Sequence, residues 1–177
     1  MPSNIPLGFL VLEIIRRTPL WVWAILAALV VLGLTQMRDR LVSRSRLLVT
    51  PIGLGLYSLS GAASMFGARP EVIAAWLAGL ALAVAANRLL QWPRGARPDG
   101  RGNFAVPGSV WPLMLMMAIF GLRYVGSVTL AFQPGWSHDA VFSLGLALSY
   151  GTLSGMFTAR ALRVLGSERA EPALGVA

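Results

Sequence analysis

A helix needs about 20 consecutive apolar residues to cross the roughly 30 Å hydrocarbon core of a bilayer. This chain offers five such stretches, at about 18–37, 47–66, 71–92, 110–132 and 139–159. Short polar connections between them leave no room for a second domain. The expected fold is therefore all-α: a polytopic membrane bundle of five transmembrane helices. Only 12% of the residues are charged and 56% are hydrophobic, whereas soluble domains carry about 25% charged residues. Such a chain lacks the polar surface to meet water on all sides.

The residues around each stretch set its ends. Residues 5–17 are apolar but too short to span, and Glu13, Arg16 and Arg17 fall on one helical face; a short interfacial helix is expected there. Thr18-Pro19-Leu20 opens the first span, with Thr18 as the cap and Pro19 in the first turn. Gly67-Ala68-Arg69-Pro70 reads as a turn, and residues 93–109, rich in Gly, Pro and Arg, as a flexible loop. Residues 160–177 read as a polar tail. Neither a basic leader nor a small-residue cleavage site is visible at the N-terminus, so no removable signal peptide is expected.

All fifteen basic residues are Arg, and the formal net charge is +8. Basic chains can bind nucleic acid, but here the arginines gather at the ends of apolar spans, where they act as orientation signals. No nucleic-acid partner is expected; the partner is the lipid bilayer. The connection after the first span holds Arg38, Arg40, Arg44 and Arg46, and that after the third holds Arg88, Arg94, Arg97 and Arg101. The tail adds Arg160, Arg163 and Arg169, while the other side has Arg16, Arg17 and Arg69. This asymmetry predicts a bacterial inner-membrane protein with its N-terminus outside and its C-terminus in the cytoplasm. Trp21, Trp23, Trp76 and Trp136 would mark the outer interface, and Trp92 and Trp111 the inner.

Small residues recur at every fourth position in two spans: Ala75, Gly79 and Ala83 in the third, and Ser143, Ala147, Gly151, Gly155 and Ala159 in the fifth. Such stripes let helices approach closely, a main source of association in lipid. Their partner is another helix of the chain, a second copy or another membrane protein. A shift of about 72 residues superimposes the two stripes, which suggests two helical hairpins repeated in parallel.

One residue stands out. Arg123 lies near the middle of the fourth span, where insertion scales assign an Arg a cost of roughly 2.5–3.5 kcal/mol. In an antiparallel bundle Tyr57, Ser149 and Tyr150 reach the same depth, and Tyr124 is its neighbour. Such a polar layer suits a carboxylate or phosphate, which a guanidinium grips in a bidentate manner. The alternative is that Arg123 reaches Asp139 or bonds to carbonyl and hydroxyl oxygens inside the bundle.

Catalytic chemistry finds little support. His138 is the only His and precedes Asp139 at a helix start, the position of a cap rather than of a dyad. The chain has no Cys, so neither a metal site nor thiol chemistry is expected, and no cofactor. Gly100-Arg-Gly-Asn-Phe-Ala105 spells G-x-G-x-x-A without a preceding strand, so it does not read as a dinucleotide fingerprint.

Three pieces carry a resemblance: Thr18-Pro19-Leu20-Trp21-Val22-Trp23, Arg123-Tyr124, and Tyr150-Gly151 with Ala159-Arg160-Ala161-Leu162-Arg163. On these the chain resembles a family of small proteobacterial inner-membrane proteins known as a domain of unknown function. A fainter similarity is to membrane proteins associated with cytochrome c maturation. Neither resemblance implies an activity. The expectation is a non-enzymatic accessory or self-associating membrane component, with a small transporter or anion-binding protein centred on Arg123 as the alternative.

Overall fold

The computed structural model describes residues 8, 13, 15–90, 97–98 and 103–166. They are nearly all helical. In chain order they form α1 (Leu20–Thr35), β1 (Arg40–Ser43), α2 (Arg44–Phe66), α3 (Pro70–Leu90), β2 (Arg97–Pro98), β3 (Asn103–Val106), α4 (Trp111–Phe132), a 3-10 turn (Pro134–His138) and α5 (Ala140–Gly166). By length and composition, α2, α3, α4 and α5 can cross a membrane. The first expected span is shorter than its apolar run: α1 has 16 residues, about 24 Å at 1.5 Å per residue. Pro19 lies before its first turn as the cap residue, and no side chain caps it.

Two expectations about connections need correction. The stretch 93–109 is not simply a flexible loop, and the fold is not purely helical. Arg97–Pro98 and Asn103–Val106 join Arg40–Ser43 in a three-stranded antiparallel sheet of order β1-β3-β2. Val42, Phe104 and Val106 turn one face of this sheet inward against Val164. That contact explains a further correction: α5 does not stop near residue 159 but runs on to Gly166, burying Arg160, Ala161 and Val164. The two connections are also stitched together, since Asp39 Oδ1 accepts the Gly108 N–H at 2.7 Å and Gln36 O accepts that of Ser109 at 3.0 Å. Residues 91–92 of the expected third span, and 167–177 of the expected tail, lie outside the described residues.

The opposite end closes differently. Gly67, at φ +78°, ends α2 in a conformation that suits glycine. Arg69 then folds back, its Nε donating to Phe66 O (2.9 Å) and its Nη2 to Ser137 O (3.3 Å). A cation at a helix C-terminus is electrostatically favoured. Asp139 caps α5, accepting the Phe142 N–H at 2.7 Å, as expected for an acid just before a helix.

The two small-residue stripes face each other. A side chain on Gly79 would strike the Leu148 carbonyl and the Thr152 amide; one on Gly151 would strike the Trp76 carbonyl. A Cβ on Gly155 would lie 2.6 Å from Leu80 O and 2.8 Å from Ala83 Cβ. Glycine is required here for backbone approach, and α3 and α5 make the most extensive helix contact of the fold. Neighbouring positions differ by about 72 throughout, so the two helices run parallel. Their surroundings are not symmetric, however: α2 packs chiefly on α5, whereas α4 packs on α1 and α5. Trp76 is not an interfacial anchor either. It is buried beside Ala62, Phe66, Val72, Ala147 and Tyr150, with its Nε1 donating to Ser58 Oγ at 3.0 Å.

Candidate functional site

Arg123 projects from the middle of α4 toward α2. Its Nη1 donates to the Tyr57 carbonyl at 3.1 Å, and Cζ lies 4.5 Å from the centroid of the Tyr57 ring. The same carbonyl accepts the Ser60 hydroxyl at 2.9 Å. Gly61 makes the approach possible, because a Cβ there would come within 3.0 Å of Nη1. A carbonyl and an aromatic face hold a guanidinium in apolar surroundings without cancelling its charge. The only ion pair among the described residues is Arg17–Glu13, at 2.7 Å, and Asp139 is engaged as a helix cap. Arg123 therefore has no carboxylate partner among the described residues.

That charge borders an open space. A cavity of about 350 Å³ lies between α1, α2 and α4, with Arg123, Tyr57, Tyr124 and Thr18 in its wall and Arg17 at its rim. Trp21, Ile25, Phe120, Val128 and Phe132 make the remaining wall largely apolar. The Tyr124 hydroxyl shares a 2.8 Å hydrogen bond with that of Thr18, tying the start of α1 to α4. The Phe120 ring stacks on Tyr124 with centroids 6.2 Å apart. Pockets of roughly 300–1,000 Å³ with apolar walls and a few placed polar groups are the usual shape of small-molecule sites.

Of the five residues expected in the polar layer, Arg123, Tyr57 and Tyr124 meet around this cavity, and two do not join them. Tyr150 is fully buried among Ala62, Phe66 and Trp76, and its hydroxyl donates to Met65 Sδ at 3.8 Å. Ser149 turns back on its own helix and donates to Gly145 O at 2.8 Å. Equal depth is not equal direction. Both residues lie on α5, which presents its small-residue stripe to α3; Tyr150 is near enough to Arg123 and Tyr57 to sense them but does not line the cavity.

A family model described as a family of unknown function, DUF6622, matches residues 6–173. The chain belongs to this family. The DUF6622 match spans every helix of the bundle and all the residues that wall the cavity. No curated protein and no solved structure matches the chain.

Among the polar wall residues, Arg17, Thr18 and Ser127 are ones that sequence reasoning missed. Arg17 reads as one member of an interfacial charge pair and Thr18 as a helix cap, and both readings look along the chain. Their place at the cavity follows from α1 running antiparallel to α4, which brings the first turn of one beside the last turns of the other. Among the described residues no three of His, Asp and Glu come together as metal ligands.

Proposed function

We propose that this is a non-enzymatic bacterial inner-membrane protein that binds an anion with an apolar body in the cavity at Arg123. The observation that carries the reading is a guanidinium without a carboxylate partner, among the described residues, facing a largely apolar cavity. The guanidinium supplies a bidentate grip for a carboxylate or phosphate. Tyr124 and Thr18 add hydroxyls, and the aromatic wall receives the apolar part. Whether the bound anion is carried across or held in place is a second step; the cavity serves either.

An accessory role through self-association is the second reading, and the stripes at Gly79, Gly151 and Gly155 do not serve it. They are enclosed between α3 and α5. A partner helix would instead use the apolar groove between α3 and α4 over α5, lined by Leu82 and Ala86, by Trp111 and by Met156 respectively.

A thermal-shift screen of carboxylates and phosphates against purified protein tests the binding reading. A ligand at 100 times its dissociation constant should stabilise the protein by about 2.7 kcal/mol. The effect should vanish in Arg123→Gln and weaken in Tyr124→Phe. An anion effect that survives Arg123→Gln, or a panel that gives none, would remove the cavity from consideration as an anion site.

A further inference from the structure

At the sheet end of the bundle a second basic region has formed, unconnected with Arg123. Arg40 on β1, Arg46 in the first turn of α2, and the buried Arg160 of α5 line one small cleft together with Gln36. Arg160 Nη1 reaches Gln36 Oε1 at 3.5 Å. Arg40 lies close enough to Arg46 that burial and this neighbouring charge both lower its pKa from the ordinary value. Among the described residues no carboxylate pairs with Arg40 or Arg46, and the adjacent Asp39 is engaged with the Gly108 amide. The first turn of α2 contains no acidic residue, and Ser43 makes no capping bond to it, so the positive end of the helix adds to the excess.

Arg40 and Arg46 also head a much larger groove of about 600 Å³. It exists because α1 packs on α4 rather than on α2, its neighbour in sequence. Leu29 and Leu32 of α1 form one wall, Val49, Gly53 and Leu54 of α2 the other. Leu32, Leu41 and Val49 are exposed along it, so the groove opens sideways. Nothing lies within 4 Å of where a Gly53 side chain would begin; that glycine keeps the floor clear. From Arg46 to Leu54 the helix rises about 12 Å, close to the depth of one leaflet. A positive head on a one-leaflet apolar trough is complementary to an anionic amphiphile.

We propose that the α1–α2 groove binds an anionic phospholipid, its phosphate held by Arg40 and Arg46 and an acyl chain lying over Gly53. A general attraction of basic loops to the membrane surface would need neither the trough nor the cleared glycine. A soluble phosphate ester shares the headgroup chemistry but leaves the trough unused.

Native mass spectrometry of the detergent-released protein, titrated with phosphatidylglycerol, phosphatidylcholine or glycerol phosphate, tests the assignment. Phosphatidylglycerol should be retained in preference to the other two. The double variant Arg40→Gln/Arg46→Gln should weaken that binding about thirtyfold, given the usual attraction per basic residue. Gly53→Leu extends into the trough from a position where a Cβ meets nothing within 4 Å, so it should also displace the lipid while both arginines remain. Phosphatidylglycerol binding that is lost in Arg123→Gln and kept in Arg40→Gln/Arg46→Gln would place the lipid in the cavity above and overturn the proposal. Equal retention of phosphatidylcholine, unaltered binding in Gly53→Leu, or glycerol phosphate binding as tightly as the lipid would each overturn the proposal.

Discussion

The Ser58 hydroxyl is used to its full capacity, one hydrogen to give and two lone pairs to receive. It donates to Gly55 O at 3.1 Å, accepts Trp76 Nε1 at 3.0 Å and meets the Ser154 hydroxyl at 2.6 Å. With its own hydrogen on Gly55, Ser154 must be the donor to it. One oxygen thus joins α2, α3 and α5, and both Ser58 and Ser154 are almost wholly buried. Ser58→Ala should lower stability by about 1–3 kcal/mol, because two buried donors lose their acceptor. Adding Trp76→Phe should then cost less than it does in the native background; strict additivity of the two changes, measured by unfolding in detergent, would count against the junction. Neither Ser58 nor Trp76 stands out in the sequence. A Ser in an apolar helix has no visible partner, and a Trp in the second turn of a span reads as an interfacial anchor. Arg123 is the opposite case. Its cost in lipid made it legible, but its acceptor is a backbone carbonyl, a group every residue has and no sequence pattern marks.

At the level of elements, the small-residue stripes were legible because their physical meaning is local: a missing side chain matters only where another backbone comes close. Gly151→Ala should therefore destabilise the bundle, since the new methyl meets the Trp76 backbone, which cannot turn aside; overpacking of this kind costs about 1–3 kcal/mol. Gly145→Ala is the control on the same helix. Its Cβ would meet nothing within 4 Å, so the better helix former should be neutral or stabilise by up to about 1 kcal/mol. Matching melting temperatures for the two variants would show that the stripe is not a packing face. The sheet was illegible for a matching reason. Its strands have two to four residues, too few to display an alternating pattern, and β1 finds β3 across more than 50 positions of sequence. The continuation of α5 past residue 159 was hidden in turn, because the surface it packs on is that sheet.

For the whole molecule, both arginine-rich connections and the end of α5 gather at the sheet end, and Arg69 and His138 lie at the other. If the sheet end faces the cytoplasm, as the arginine distribution predicts, a reporter active only in the cytoplasm should work after Ala177 and fail after Gly135. The reverse pattern would invert the topology. The packing order also bears on how such a protein comes into being. Helices enter a membrane in the order of synthesis, but here no helix takes its chief partner from the one just made. The start of α1 bonds to Tyr124, 106 residues away, and α2 and α3 both rest on α5. At about 5–20 residues per second, α1 (Leu20–Thr35) waits roughly 5–19 s until α4 is finished at Phe132 and can receive it. A chain halted before the fifth helix leaves two finished helices without their main contact, so biogenesis of this bundle ends in a single late closure rather than in stepwise growth.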